Sequence, residues 1–452
     1  MFPNAAEVFK LTRLSVCWLT FIFTVVWLVC WAVGIALPML LLEKFGEHSQ
    51  LAIEILQALT PVLAILVFIP INAMFMVLIE RRALAIWTVR KGPNRVGPDG
   101  NFQTAADAVK LLFKEDITPT GADALMFTLA PILFFAPSIF GAVPLLAAVT
   151  NNHEIFRVLN LPTGIFYILA AGSLPVVALV MAGWSSNNKY SLVGGLRSAA
   201  QAISYEIPLV LSLISVCLMA GTLDLVKIMQ QQAGGILNWN ILGGGALSGI
   251  DRALAGAGSS MLTTSYPLGA VSYFCAAVLV GCMITSFWLY LTGACAEINR
   301  IPFDLPEAES ELVSGYNTEY SGIKFAIFFL AEFTNLFVVA SIATVMFLGG
   351  GDNPIPVWIL DKIPGLTQGV AALRDSFLVK DIHLINPETL FATLWVIVKV
   401  YGLVVFAVLI RGTLPRFRID QLMGFGWKRL IPLSLIVFLI VVFAREFVIC
   451  HG

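Results

Sequence analysis

Apolar residues fill long, nearly unbroken runs in this chain, and charge, glycine and proline collect in the segments between them. Nine runs are long enough to cross a hydrocarbon core of roughly 30 Å as helices: 15–42, 53–79, 123–148, 164–183, 205–221, 268–292, 323–348, 389–410 and 430–448. The alternating ten-residue segments of a membrane barrel are absent, as is any strand pattern of consequence. The expected fold is all-α and polytopic. Segment 205–221 is short for a span, and Pro208 near its start suits a first helical turn.

Composition agrees. Hydrophobic residues make up 58 % of the 452 and charged residues only 12 %, about half the charge of a soluble domain. The seven cysteines lie mostly within apolar runs and form no CxxC pair, so they read as small core residues rather than metal or iron–sulfur ligands. Segment 14–42 is too long and too weakly flanked for a cleaved signal peptide, so it reads as a true span.

Net charge is near zero, but its distribution is uneven. With the amino terminus in the cytoplasm, inside segments hold 18 of the 27 lysines and arginines, and outside segments hold seven. That bias gives a cytoplasmic amino terminus and an outside carboxy terminus. All four histidines then fall outside. Two outside segments are long: 222–266, rich in Gly and Ser and expected to carry short helical pieces, and 349–388. Lys399 lies within the eighth span, where it either pairs with a carboxylate or snorkels.

The inside segments carry the chemistry. The stretch 297-EINRIPFDLPEAESELVSGYNTEYSG-322 has six carboxylates, Glu297, Asp304, Glu307, Glu309, Glu311 and Glu319, against one cation, Arg300. Glu206 and Glu332 lie within expected spans. Ionisable groups in a membrane are costly and read as functional, and clustered carboxylates raise one another's pKa. A solvated loop face is the plain alternative for Glu307, Glu309 and Glu311. The first inside loop, 80-ERRALAIWTVRKGPNRVGPDGNFQTAADAVKLLFKEDITPTG-121, bends at KGPNRVGPDG. It then continues into an amphipathic helix expected at the interface or under a soluble partner. The second, 184-WSSNNKYSLVGGLRSAAQAISYEIP-208, is expected to be helical after Gly195. The fourth, 411-RGTLPRFRIDQLMGFGWK-428, is a basic turn before the last span.

These four inside motifs together resemble the H subunit of bacterial NADH:quinone oxidoreductase, the equivalent of subunit 1 of mitochondrial complex I. The resemblance runs from about residue 55 to 449. It implies a membrane domain over 51–452 with eight family spans. Residues 1–50 then form an amino-terminal extension with an added span, and the outer loop near 222–266 is expanded. It implies a place in the cytoplasmic membrane beside hydrophilic-arm quinone-site and iron–sulfur subunits, small membrane subunits and antiporter-like subunits. Quinone would be the substrate, with NADH, FMN and iron–sulfur clusters held by partners and no redox centre or cofactor on this chain. Glu80, Arg81, Arg90, Lys91, Asp107, Arg300 and Phe303 would line or brace the quinone chamber, and Trp87, Ala83 and Ala85 would give it apolar surface. Glu206, Glu297, Asp304, Glu307, Glu319 and Glu332, with Glu309 and Glu311 beside them, would form an acidic path toward the antiporter-like subunits, and Arg197 would face Glu206. Two alternatives stay open: the related membrane subunit of an energy-converting hydrogenase or formate hydrogenlyase, and a stand-alone cation/proton transporter.

Overall fold

Segments with no water beside them must satisfy every backbone polar group internally, which favours helices. The computed structural model describes residues 50–150, 161–244, 269–304, 313–354 and 387–451, and among these there are helices and no strands. The long helices are α1 (Gln50–Trp87), α3 (Ala124–Thr150), α4 (Gly164–Ser185), α5 (Lys189–Ala220), α7 (Gly269–Glu297), α8 (Gly322–Phe347), α9 (Pro387–Thr413) and α11 (Ile431–His451). Shorter ones are α2 (Gln103–Phe113), α6 (Leu225–Gln231) and α10 (Ile419–Phe425), the last joined to α11 by a π turn, Gly426–Leu430. Seven of the described helices are long and apolar enough to cross a membrane. Eight of the nine expected spans match helices; segment 15–42 lies outside the described residues. Residues 222–244 of the outer loop hold α6 and two 3-10 turns, in line with the short helical pieces expected there.

Helix α8 is the hub. Its upper part, Phe328 and Ala331, packs with Phe127, Ala178, Tyr316 and Tyr320. Phe333, Leu336 and Ala340 pack with α1 and α9 through Met76 and Val400. Its last turns join the largest core with α3, α4, α5, α7 and α11.

One expectation needs correcting. Helix α5 begins at Lys189, so the second inside loop and the fifth span are a single helix with Pro208 in its interior. Hydropathy misses the first half because small polar residues bury it: Ser191, Gly194, Gly195, Ser198 and Gln201 are all buried. A Cβ on Gly195 would lie 2.8 Å from the Leu179 carbonyl of α4, and one on Gly194 would lie 2.8 Å from the Gly315 backbone. Both contacts are to backbone, which has little room to give. Gly195→Val should therefore destabilise by about 1–3 kcal/mol through overpacking, read as a lower melting temperature in detergent. The control is Gly281→Ala, whose added Cβ meets nothing within 4 Å and should cost nothing.

At the end of the bundle beyond Phe347, Lys399 resolves its alternatives in a third way. Its ammonium donates to the carbonyls of Leu348 (2.7 Å), Gly350 (2.8 Å) and Asp352 (2.7 Å). It also sits 4.1 Å from the Trp239 ring centroid. A cation at a helix C-terminus meets the negative end of the dipole and satisfies carbonyls the helix leaves open. The Asp352 carboxylate accepts from the Gly235 N–H and the Trp239 indole, tying the segment after α6 to the end of α8.

Candidate functional site: a paired acidic face at one end of the bundle

The acidic stretch begins where α7 ends, and its turn is pinned from α5. The buried Gln201 amide donates to the carbonyls of Ala296 (2.7 Å) and Phe303 (2.8 Å), at either end of the turn. Phe303 packs 5.4 Å from Tyr205 and 5.7 Å from Phe417, centroid to centroid. Tyr205 in turn donates to the Leu422 carbonyl of α10 at 2.9 Å. The third and fourth inside segments thus pack as one unit against α5.

The charges sort into buried and exposed tiers. Glu80, near the end of α1, is 6 % exposed. It lies between two guanidinium groups, Arg300 at 3.3 Å and Arg411 from the end of α9. Arg300 also stacks 4.3 Å above Phe333 of α8. Asp304 takes Arg416 at 2.8 Å. So one carboxylate of the acidic stretch, Asp304, takes its counter-charge from the basic turn, 112 residues away in sequence. Arg411 and Arg416 were missed as site residues, and the basic composition of 411–418 was the available signal.

Further along, Glu297 at the end of α7 points at α4, with its Oε1 3.3 Å from where a Gly172 Cβ would stand. It lies within electrostatic reach of Glu206 on α5. Glu332, buried in α8, accepts from the Tyr316 hydroxyl at 2.9 Å. Glu319 accepts from Asn188 Nδ2 at 2.6 Å. The Asn188 Oδ1 meanwhile accepts from the Tyr190 N–H and caps α5. Tyr316 and Asn188 are further members that composition did not single out. Glu307, Glu309 and Glu311 lie outside the described residues.

Arg197 does not face Glu206. Nine residues on one helix, at about 100° each, put them on opposite sides and roughly 13 Å apart along the axis.

The first loop forms the exposed tier. Arg81 pairs with Asp107 at 2.6 Å with both side chains partly exposed, so the pair is worth at most about 1 kcal/mol. Arg82 holds the bend by donating to the Asp99 carbonyl at 2.5 Å and the Asn101 side chain at 2.7 Å. Gly100 there has φ +71, and a Cβ would strike the Pro93 carbonyl. Arg90, Lys91 and Trp87 are exposed. Helix α2 presents an open apolar face in Phe102, Val109, Leu112 and Phe113. Four residues expected at a chamber surface are instead packed inside this chain: Phe303 at 4 % exposure, Ala85 at 2 % and the paired Glu80 and Arg300. Their aromatic, small and mutually neutralising side chains are what a core selects.

Comparison with known proteins decides the family. Residues 60–442 match the family model described as NADH dehydrogenase.

The chain belongs to the NADH dehydrogenase family.

Similar curated proteins carry more specific names, each an H subunit of NADH-quinone oxidoreductase. One from Koribacter versatilis (strain Ellin345) is 35 % identical over 401 residues, covering 86 % of this chain and 96 % of that protein. One from Solibacter usitatus (strain Ellin6076) is 39 % identical over 395 residues, covering 80 % and 90 %. A third, from Dehalococcoides mccartyi (strain CBDB1), is 37 % identical over 370 residues, covering 81 % of each. With this family membership and seven helices able to span among the described residues, the chain is a membrane protein of the NADH dehydrogenase family.

Proposed function

We propose that this chain is the membrane subunit of a proton-pumping NADH:quinone oxidoreductase. With hydrophilic-arm subunits it encloses the quinone chamber, and its carboxylates couple quinone reduction to proton translocation. The carrying observation is the match to NADH-quinone oxidoreductase H subunits over nearly their whole length. The charge arrangement supports the finer reading.

Reduction of a quinone to a quinol takes two electrons and two protons. The electrons come from a partner's iron–sulfur cluster. This chain's task is to hold, order and move protons. The exposed tier (Arg81, Arg90, Lys91 and Asp107, with Trp87 beside them) is the part that meets quinone and the soluble partners. The buried tier carries the response inward. A charge change near the chamber alters the balance at Glu80–Arg300–Arg411 and Asp304–Arg416. Both Arg300 and Asp304 sit on the turn that leads from Glu297. From there Glu206, Glu297, Glu319 and Glu332, with Glu307, Glu309 and Glu311 in the same stretch, continue toward the antiporter-like subunits. This chain lies in the bacterial cytoplasmic membrane with the acidic face inward, and it is inactive alone.

Purification of the tagged chain from its own membranes tests this. It should bring iron–sulfur and antiporter-like subunits with it and show quinone reductase activity only as that assembly. Quinone reductase activity from the isolated chain, or co-purification with hydrogenase subunits, would overturn the reading.

A further inference from the structure

The basic turn that pairs with the acidic face ends in three residues the charge network does not use: Trp427, Lys428 and Arg429. They form the π turn before α11, and all three are exposed. The Trp427 indole N–H donates to Ser204 Oγ at 3.1 Å, which fixes the ring against α5. Neither Lys428 nor Arg429 forms an ion pair with any described residue, although Glu80 and Asp304 at the same end of the bundle each hold an arginine. Among the described residues no carboxylate offsets their charge.

The helix below them offers an apolar row. The inward side of α11 is Leu430, Ser434, Val437 and Val441, all buried. Away from that side run Leu433, Ile436 and Ile440, which are 42, 53 and 36 % exposed. Helical spacing places this row in line with Arg429. An exposed apolar row that starts under a cation at a membrane boundary suits an acyl chain under a phosphate. The adjacent Trp427 is of the residue type enriched at membrane–water interfaces.

We infer that Lys428 and Arg429 hold the phosphate of an anionic phospholipid whose acyl chains lie along Leu433, Ile436 and Ile440 of α11. The site needs only the membrane position of this chain, not the quinone reading. A neighbouring protein subunit covering the same row is the competing occupant.

Two measurements decide. First, the assembly containing the tagged chain is purified, washed in zwitterionic detergent and incorporated into bilayers of mixed phosphatidylglycerol and phosphatidylcholine. The lipid that stays with it is then quantified by mass spectrometry. Each cation near a surface contributes about fivefold to anionic-lipid affinity. Lys428→Gln with Arg429→Gln should therefore lower phosphatidylglycerol enrichment at this site by about 25-fold, while Arg429→Lys retains most of it. Equal phosphatidylglycerol retention in wild type and the double variant would overturn the proposal. Second, a photo-crosslinking amino acid replaces Leu433 with both cations present, so the answer survives if the double variant fails to accumulate. Adducts of phospholipid mass support the site. Adducts to a protein subunit alone show that a partner occupies the row and refute it.

Discussion

Replacing Glu80 by glutamine should strip the membrane of most of this chain. The side chain keeps its size but no longer offsets Arg300 and Arg411, which would then face each other with one of them almost fully enclosed. Removing one partner of a buried ion pair typically costs about 3–5 kcal/mol, because the remaining charge cannot return to water. That is a large part of the roughly 5–15 kcal/mol that holds a typical domain together. Glu80 with its two arginines also joins α1, α9 and the turn after α7, so the damage spreads across three elements. Immunoblots of membranes and the melting temperature of the purified assembly check the effect. Adding Arg300→Gln to Glu80→Gln should recover part of the loss, since the enclosed cation goes too, and the two changes should be clearly non-additive. Wild-type levels of the single variant would show that this pair is not what joins these elements.

Glu332→Gln should act on turnover rather than on accumulation. Glutamine still accepts the hydrogen bond from Tyr316 and fills the same space in α8, but it no longer titrates. If the acids relay protons, quinone-linked turnover should fall roughly tenfold or more, equivalent to about 1.4 kcal/mol on the barrier. Tyr316→Phe removes one donor and leaves the carboxylate, so its effect should be smaller. A core role alone would reverse that order, because Tyr316 is fully buried among Phe134 and Phe328.

The spans could be read from sequence because a membrane-spanning helix must be apolar along most of its length, as α3 and α4 are. Helix α5 was half hidden for the opposite reason. One face of its first turns, Ser191, Gly194, Gly195, Ser198 and Gln201, is buried through small-residue contacts that no hydropathy scale registers. The acids of the site were visible as residues, but their partners were not. Glu80 and Arg300 are separated by 220 positions, and only helix packing says that Arg411 and Arg416 close the same end. The same limit applied to Lys399, whose three carbonyl partners exist only once α8 has ended beside α9. Phe303 shows the reverse error. An aromatic residue in a functional stretch invites a binding role, yet its neighbours Tyr205 and Phe417 make it the core of the turn.

The central claim is that the acidic face couples quinone reduction to proton movement. The most direct test places assembly carrying Glu332→Gln in closed vesicles and records three rates on one preparation: electron input to an artificial acceptor that bypasses quinone, quinone reduction, and acidification of the lumen. The account predicts input near wild type, with quinone reduction and acidification both reduced roughly tenfold. All three rates at wild-type level would contradict it and leave the acidic face a structural one.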